Sequence, residues 1–253
     1  MNSFLDSQCT GCWLLPPKDL ALAAEEIHLW QADLNLESDQ RQQLAETLSL
    51  DERQRAERFH FERDRHHFIA ARGILRDLLS RYLTLEPEQL QFSYGSRGKP
   101  VLVHQDEGRS LCFNLSHSHG LALYAVGWRC RVGVDLEYQR SMSDLVQLAK
   151  RFFSKSEAAA ILALPAVRQQ TAFFRCWTAR EAYLKATGEG LAGLETVDLL
   201  LEPGERVSLD RIKGDAEAAA AWSLHPLDVA SDWMAALVVE GQGWQIRQWQ
   251  WSI

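Results

Sequence analysis

Apolar positions in the first third of the chain recur at helical spacing. Residues 38–50, SDQRQQLAETLSL, predict a short helix, and residues 51–83 predict a longer one with a break near 61–64. In its second part Phe68, Ala71, Leu75, Leu78 and Tyr82 fall three or four residues apart, the interval that lines up one helix face. LEPEQL then turns the chain at Pro87, and QFSYGSRGKPVL reads as strand, glycine-rich turn and strand. LCFNLSHSHGLALYAVGW predicts two strands joined by a turn at 118–120. A polar joint, RCR at 129–131, leads into a further strand, VGVDLEY. FFSKSEAAAIL carries a capping box, with Ser154 as N-cap and Glu157 three residues on. RQQTAFFRCWTAREAYLKATG is a second helix of this region, ended by Gly188. Strands are expected at 195–201, 222–227, 233–239 and 244–251. Helices followed by strands thus occur twice, on either side of 129–132, which is an α+β pattern rather than a regular βαβ alternation.

The 253 residues suffice for two halves of about 125 residues each. A net charge of −7 argues against general nucleic-acid binding, which needs a broad basic surface, but leaves room for a local basic pocket. Cys9 and Cys12 form a lone C-x-x-C with no second pair, a weak signal for zinc or a redox pair, and Cys112, Cys130 and Cys176 are scattered. The opening MNSFLDSQCTGC has no charged n-region and no long apolar run, and nowhere does an apolar run approach the roughly 20 residues of a membrane span. The expectation is a cytoplasmic protein.

Four stretches could carry chemistry. In CWTAREAYLKATGEG, Trp177, Glu181 and Lys185 are four residues apart and share a helix side with Phe173, Phe174 and Leu184. An internal Glu–Lys pair would account for the spacing, yet such a pair has no need of aromatic neighbours. In GVDLE, Asp135 and Glu137 point to one face of a strand while Val134 and Leu136 point to the other. Two carboxylates on one face repel unless a cation lies between them, and oxygen ligands suit Mg²⁺; the alternative is a solvated strand face. RDRHHFIAARGILR contributes Arg63, Arg65, Arg72 and Arg76 with His66 and His67. Of these, Arg65, Arg72 and Arg76 form a stripe whose guanidinium forks match phosphate oxygens, or else a solvated basic face. Finally, the turn Gly98-Lys99-Pro100 and the strand NLSHS place a cation, a close backbone approach and His117 in reach of a ligand. Ser116 and His117 are adjacent on a strand and face opposite ways, so they are no nucleophilic pair, and NLSHS lacks the G-x-S-x-G elbow. Together these features indicate an enzyme acting on a phosphorylated small molecule.

The order GKP, FNLSHS, VGVDLE, RFFSKSE and WTAREAYLKATGEGL resembles the Sfp-type 4′-phosphopantetheinyl transferases, from about residue 45 to about residue 195. The resemblance implies a pseudo-dimer of two similar α+β halves in one chain, here residues 1–129 and 130–253. It implies coenzyme A as co-substrate, bound between the halves with Mg²⁺ (Mn²⁺ as an alternative). The acceptor would be a serine of an acyl- or peptidyl-carrier protein, and adenosine 3′,5′-bisphosphate the released product. By position, Asp135, Glu137 and Glu181 correspond to the metal-binding carboxylates, with Asp135, Glu181 and Lys185 as the catalytic set. Lys185 would meet the diphosphate; Gly98, Lys99 and Pro100 would border the adenine; Ser116 and His117 would lie near the phosphates. Arg55, Arg65, His67 and Arg72 are the candidates for the 3′-phosphate. Arg180 stands where the family pattern W-x-x-K-E has lysine, which keeps the charge but not the geometry. The resemblance implies a monomer with an internal pseudo-two-fold and no nucleic-acid or membrane partner. The competing readings are a metal-dependent phosphodiesterase or nuclease, and a non-catalytic module that binds coenzyme A or carriers.

Overall fold

The computed structural model describes residues 13–83, 85–95, 97–103, 110–202 and 204–252. Cys9 and Cys12 lie outside the described residues. The first sheet contains β1 (Glu26–Asp33), β4 (Leu111–Ser118), β5 (Leu121–Trp128) and β11 (Gln245–Gln250), in the order β11-β1-β5-β4. The second contains β6 (Val132–Tyr138), β9 (Trp222–Leu227) and β10 (Trp233–Glu240), in the order β6-β10-β9. Two small hairpins, β2 (Phe92–Tyr94) with β3 (Pro100–Leu102) and β7 (Val197–Leu201) with β8 (Val207–Ile212), lie beside them.

Strand alternation builds four layers, helix–sheet–sheet–helix. From the first sheet Trp30, Ala32, Tyr124 and Val126 face α3 (Glu62–Ser80), where Ala70, Ala71, Ile74, Leu75 and Leu78 close one core. The alternate residues Ile27, Leu29, Leu123 and Ala125 meet Val132, Val134, Leu136, Leu237 and Val239 of the second sheet in a middle core. On the far side Ala236 and Val238 pack under α6 (Ala166–Thr187) against Phe173, Phe174, Ala182 and Leu184. Each half thus contributes a sheet backed by a long helix, as the two-half reading expects.

Several expectations hold in detail. The expected helix break exists but falls about three residues earlier than 61–64: α2 (Leu50–Glu57) and α3 are separated at 58–61. The Ser154–Glu157 capping box opens α5 (Lys155–Ala163), and Gly188 ends α6 in the left-handed conformation at φ 76°. The predicted helix over 38–50 is shorter, α1 (Ser38–Glu46), because Ser49 starts a new helix through its own capping box with Glu52. The pattern did not reveal β1, β8, α4 (Leu145–Phe152) or α7 (Ala216–Ala220). Sheet membership also departs from a division at 129: β11, at the C-terminal end, pairs in parallel with β1 of the first sheet, Trp249 opposite Trp30.

Where β4 meets β6, the two sheets join along a seam without a backbone ladder. From β4, Asn114 Oδ1 accepts from Val134 N (2.9 Å), Ser116 Oγ from Leu136 N (3.2 Å) and Ser118 Oγ from Tyr138 N (3.1 Å). Three side chains on one face of β4 therefore satisfy the outer edge of β6, whose amides would otherwise be buried without partners. Among the described residues no helix is long and apolar enough to cross a membrane.

Candidate active site

The site forms where β6 runs beneath α6. Gly133 permits this approach: a Cβ there would stand 2.0 Å from the carbonyl oxygen of Ala182. The next residues on that strand face, Asp135 and Glu137, then lie under the helix stripe that carries Trp177, Glu181 and Lys185. Lys185 Nζ is 2.6 Å from Asp135 Oδ1 and donates to Ser116 Oγ at 2.8 Å. Ser116 Oγ in turn donates to Asp135 Oδ1 at 3.1 Å. The indole N–H of Trp177 reaches Glu137 Oε1 at 3.4 Å, and its ring stacks on Phe173 with an angle of 10°.

Charge is concentrated in little water. Asp135 is 3% exposed. Burial pushes the Glu181 carboxyl up to about 7, and the negative charge of Asp135 adds to this while Lys185 opposes it. Glu137 is raised by burial and by Asp135, against the Trp177 hydrogen bond and Lys185. Asp135 Oδ2 and Glu181 Oε1 are buried with no hydrogen-bond partner among the described residues. Buried polar atoms are ordinarily satisfied, so two orphaned carboxylate oxygens in one cluster mark a place for a cation or a donor. Among the described residues no group of three or more acidic, histidine or cysteine side chains, Asp135, Glu137 and Glu181 included, is placed so as to hold a metal ion as it stands.

The cluster opens onto a cleft of about 480 Å³ between the halves, with Glu181 and Lys185 in one wall and Lys99 and His117 in the other. Arg55, Arg72, Gly98 and Pro100 also line it. A second hollow of about 310 Å³ lies beyond Glu137, walled by Tyr138, Phe152, Phe173 and Trp177. His117 faces the cleft while Ser116 turns inward, as their adjacency on a strand requires. The protein around His117, together with the Lys185 and His67 charges, holds its imidazole below the ordinary value.

The structure gives several predicted residues another task. The guanidinium of Arg72 touches the cleft but is bound to Glu52 and to the Tyr94 hydroxyl (3.0 Å). Arg76, of the same expected stripe, is 1% exposed and joins Glu52 to the carbonyls of Pro87 and Leu90. Arg65 and His67 do not line the cleft: Arg65 lies 3.9 Å from Glu62, and His67 meets Asn35 Oδ1 at 3.0 Å. Lys99 donates to the carbonyls of Lys185 and Ala186, the negative end of α6, so its ammonium ties the halves together. Burial lowers its pKa. Ser116, with one proton given and two accepted, has no capacity left for a phosphate. Arg180 is buried away from the cleft on Glu157, Phe152 O and Val197 O. Sequence reading missed Arg97, which lines the cleft beside Gly190. Its place in SRGKP, next to a turn already singled out, was the available signal.

Two sheets, each backed by a long helix, with an acid–lysine cluster between β6 and α6 at the edge of a cleft of about 480 Å³, define an α+β protein with a site suited to an anionic ligand. The family model for the 4′-phosphopantetheinyl transferase superfamily matches residues 131–238, and that for the 4′-phosphopantetheinyl transferase N-terminal region matches 34–127. The chain is 47% identical over 237 residues to the 4′-phosphopantetheinyl transferase HetI of Nostoc sp., covering 94% of this chain and 97% of that one. It is 34% identical to psf-1 of Bacillus pumilus (75% and 78% covered) and 27% identical to Sfp of Bacillus subtilis (70% and 77% covered). The chain belongs to the 4′-phosphopantetheinyl transferase family and is an enzyme of the Sfp type.

Proposed function

We propose that the cleft binds coenzyme A with its diphosphate against the acid–lysine cluster, and that a carrier-protein serine attacks there. The observation that carries this reading is the meeting of Glu181 and Lys185 at the cleft wall, with Asp135 buried behind them on Lys185 and two carboxylate oxygens left unpartnered. Asp135, Glu137 and Glu181 would hold Mg²⁺, or Mn²⁺ in its place; oxygen donors on a partly open set suit a cation that keeps water and substrate phosphate as further ligands. Bound there, the cation supplies neutralisation of charge on the diphosphate.

The chain's own groups do the rest. Arg55, Arg97 and His117 present cationic or donor groups along the cleft for the 3′-phosphate and the diphosphate. Lys185, 30% exposed, stabilises charge on the leaving side. Glu181, in the cleft wall, accepts the serine proton as the serine oxygen bonds to the β-phosphorus. The bond from that phosphorus to the bridging oxygen breaks, and adenosine 3′,5′-bisphosphate leaves with the electron pair. No enzyme side chain becomes covalently attached.

The described cysteines, Cys112, Cys130 and Cys176, are all free thiols, which fits a cytoplasmic setting. The two halves already meet within one chain, which supports a monomer. The test is intact-mass measurement of a panel of apo acyl- and peptidyl-carrier proteins incubated with this protein, coenzyme A and Mg²⁺. At least one carrier must gain the mass of phosphopantetheine; a panel left unmodified overturns the reading. Nicking of plasmid DNA under the same conditions would favour the phosphodiesterase alternative, which the net charge of −7 disfavours.

A further inference from the structure

Asp135 is the most enclosed acid of the cluster, and its counter-ion in this structure is internal. Lys185, Ser116 and Asp135 form a closed triangle, with Nζ–Oδ1 at 2.6 Å, Nζ–Oγ at 2.8 Å and Oγ–Oδ1 at 3.1 Å. Ser116 is pinned in turn by the amide of Leu136, so the triangle rests on the seam between the halves. An ammonium has three N–H donors, and two are engaged here. Among the described residues the third meets no acceptor, and Lys185 lines the cleft, where a ligand can supply one.

We propose that Lys185 is a counter-cation latch on Asp135, so that a divalent cation and the coenzyme A diphosphate bind cooperatively because each relieves the same ion pair. This rests on the function proposed above. A cation seeking Asp135 Oδ1 in the free protein meets an ammonium already 2.6 Å from that oxygen, and like charges exclude one another from a buried acid. A diphosphate offers Lys185 a second anionic acceptor, draws it toward the cleft and leaves Oδ1 open beside the unpartnered Oδ2. Conversely, a cation on Asp135 releases Lys185 for the diphosphate. Such coupling is reciprocal by thermodynamic necessity.

The test follows Mn²⁺ binding by electron paramagnetic resonance, with no carrier present and hence no turnover. Wild-type protein is compared with Lys185→Met and Lys185→Gln, each checked for folding by its thermal melt. Without coenzyme A, both variants are expected to bind Mn²⁺ about tenfold tighter than wild type, within the usual range of coupling factors. The increase in Mn²⁺ affinity on adding coenzyme A should be smaller in the variants than in wild type. If Lys185 only contacts phosphate, free-protein Mn²⁺ affinity will be unchanged or weaker in both variants, and the latch is overturned while the cation site stands. If wild type with coenzyme A binds no Mn²⁺ at all, the cation site itself falls and the latch with it.

Discussion

Glu181 and Lys185 are one turn apart on α6 yet act on charge in opposite ways: one carboxyl is pushed toward neutrality, the other side chain compensates a buried anion. Replacing Glu181 by glutamine keeps shape and removes the proton acceptor. Turnover should fall by about 10²- to 10⁴-fold, the usual worth of a positioned base, with far less effect on coenzyme A affinity. Single-turnover kinetics beside calorimetric titration check this, and near-normal turnover would remove Glu181 from the mechanism. Arg180, its neighbour in sequence, predicts the reverse. Lys at this position cannot span Glu157, Phe152 O and Val197 O together. Arg180→Lys should cost about 1–3 kcal/mol in urea unfolding while turnover per folded molecule is kept. The acid–lysine spacing was legible because a strand period of two and a helix period near four put these residues on defined faces. The fates of Arg72 and Arg76 were not legible, because Glu52, twenty residues or more away, decides them.

At the scale of elements, Glu52 links α2 to α3: it caps α2 through Ser49 and receives both Arg72 and Arg76. Burial raises its pKa, but the two arginines outweigh that and hold it below the ordinary 4.5. A carboxyl with a depressed folded pKa contributes stability that is complete above about 4.5 and is lost as pH falls through the folded value. Glu52→Gln should cost about 3–5 kcal/mol near neutral pH, since two buried guanidinia lose their counter-charge. Its stability should also fall less steeply below pH 4.5 than that of wild type, as read from melts across pH. Where β6 passes under α6, Gly133→Ala would drive a Cβ into the helix backbone at Ala182 and Ala186. A loss of about 3 kcal/mol, at the upper end for overpacking, is expected, with lower turnover because Glu181 and Lys185 ride on the displaced helix. The strand EIHLWQAD was illegible for a related reason. It is buried on both faces, between α3 and the second sheet, so it shows little of the alternation that marks a half-exposed strand.

The whole molecule combines what its sequence announced with what it concealed. The two helix-then-strand passages and the joint near 129–132 were visible, because turns and periodicity are local signals. The return of β11 to β1 was not, because parallel pairing across more than two hundred residues leaves no local trace. A chain stopped after Gln242 should therefore damage the first sheet rather than the second. Amide hydrogen exchange in β1 should rise sharply in that truncation; protection equal to wild type would contradict the role given to β11. The same pairing bears on how the protein is made. Biosynthesis delivers β11 more than two hundred residues after β1, so until then β1 offers a bare row of hydrogen-bonding groups on its outer side. A nascent chain whose first sheet waits more than two hundred residues for its parallel partner is exposed to wrong pairing throughout that interval, and slow elongation between the two strands would lengthen the hazard.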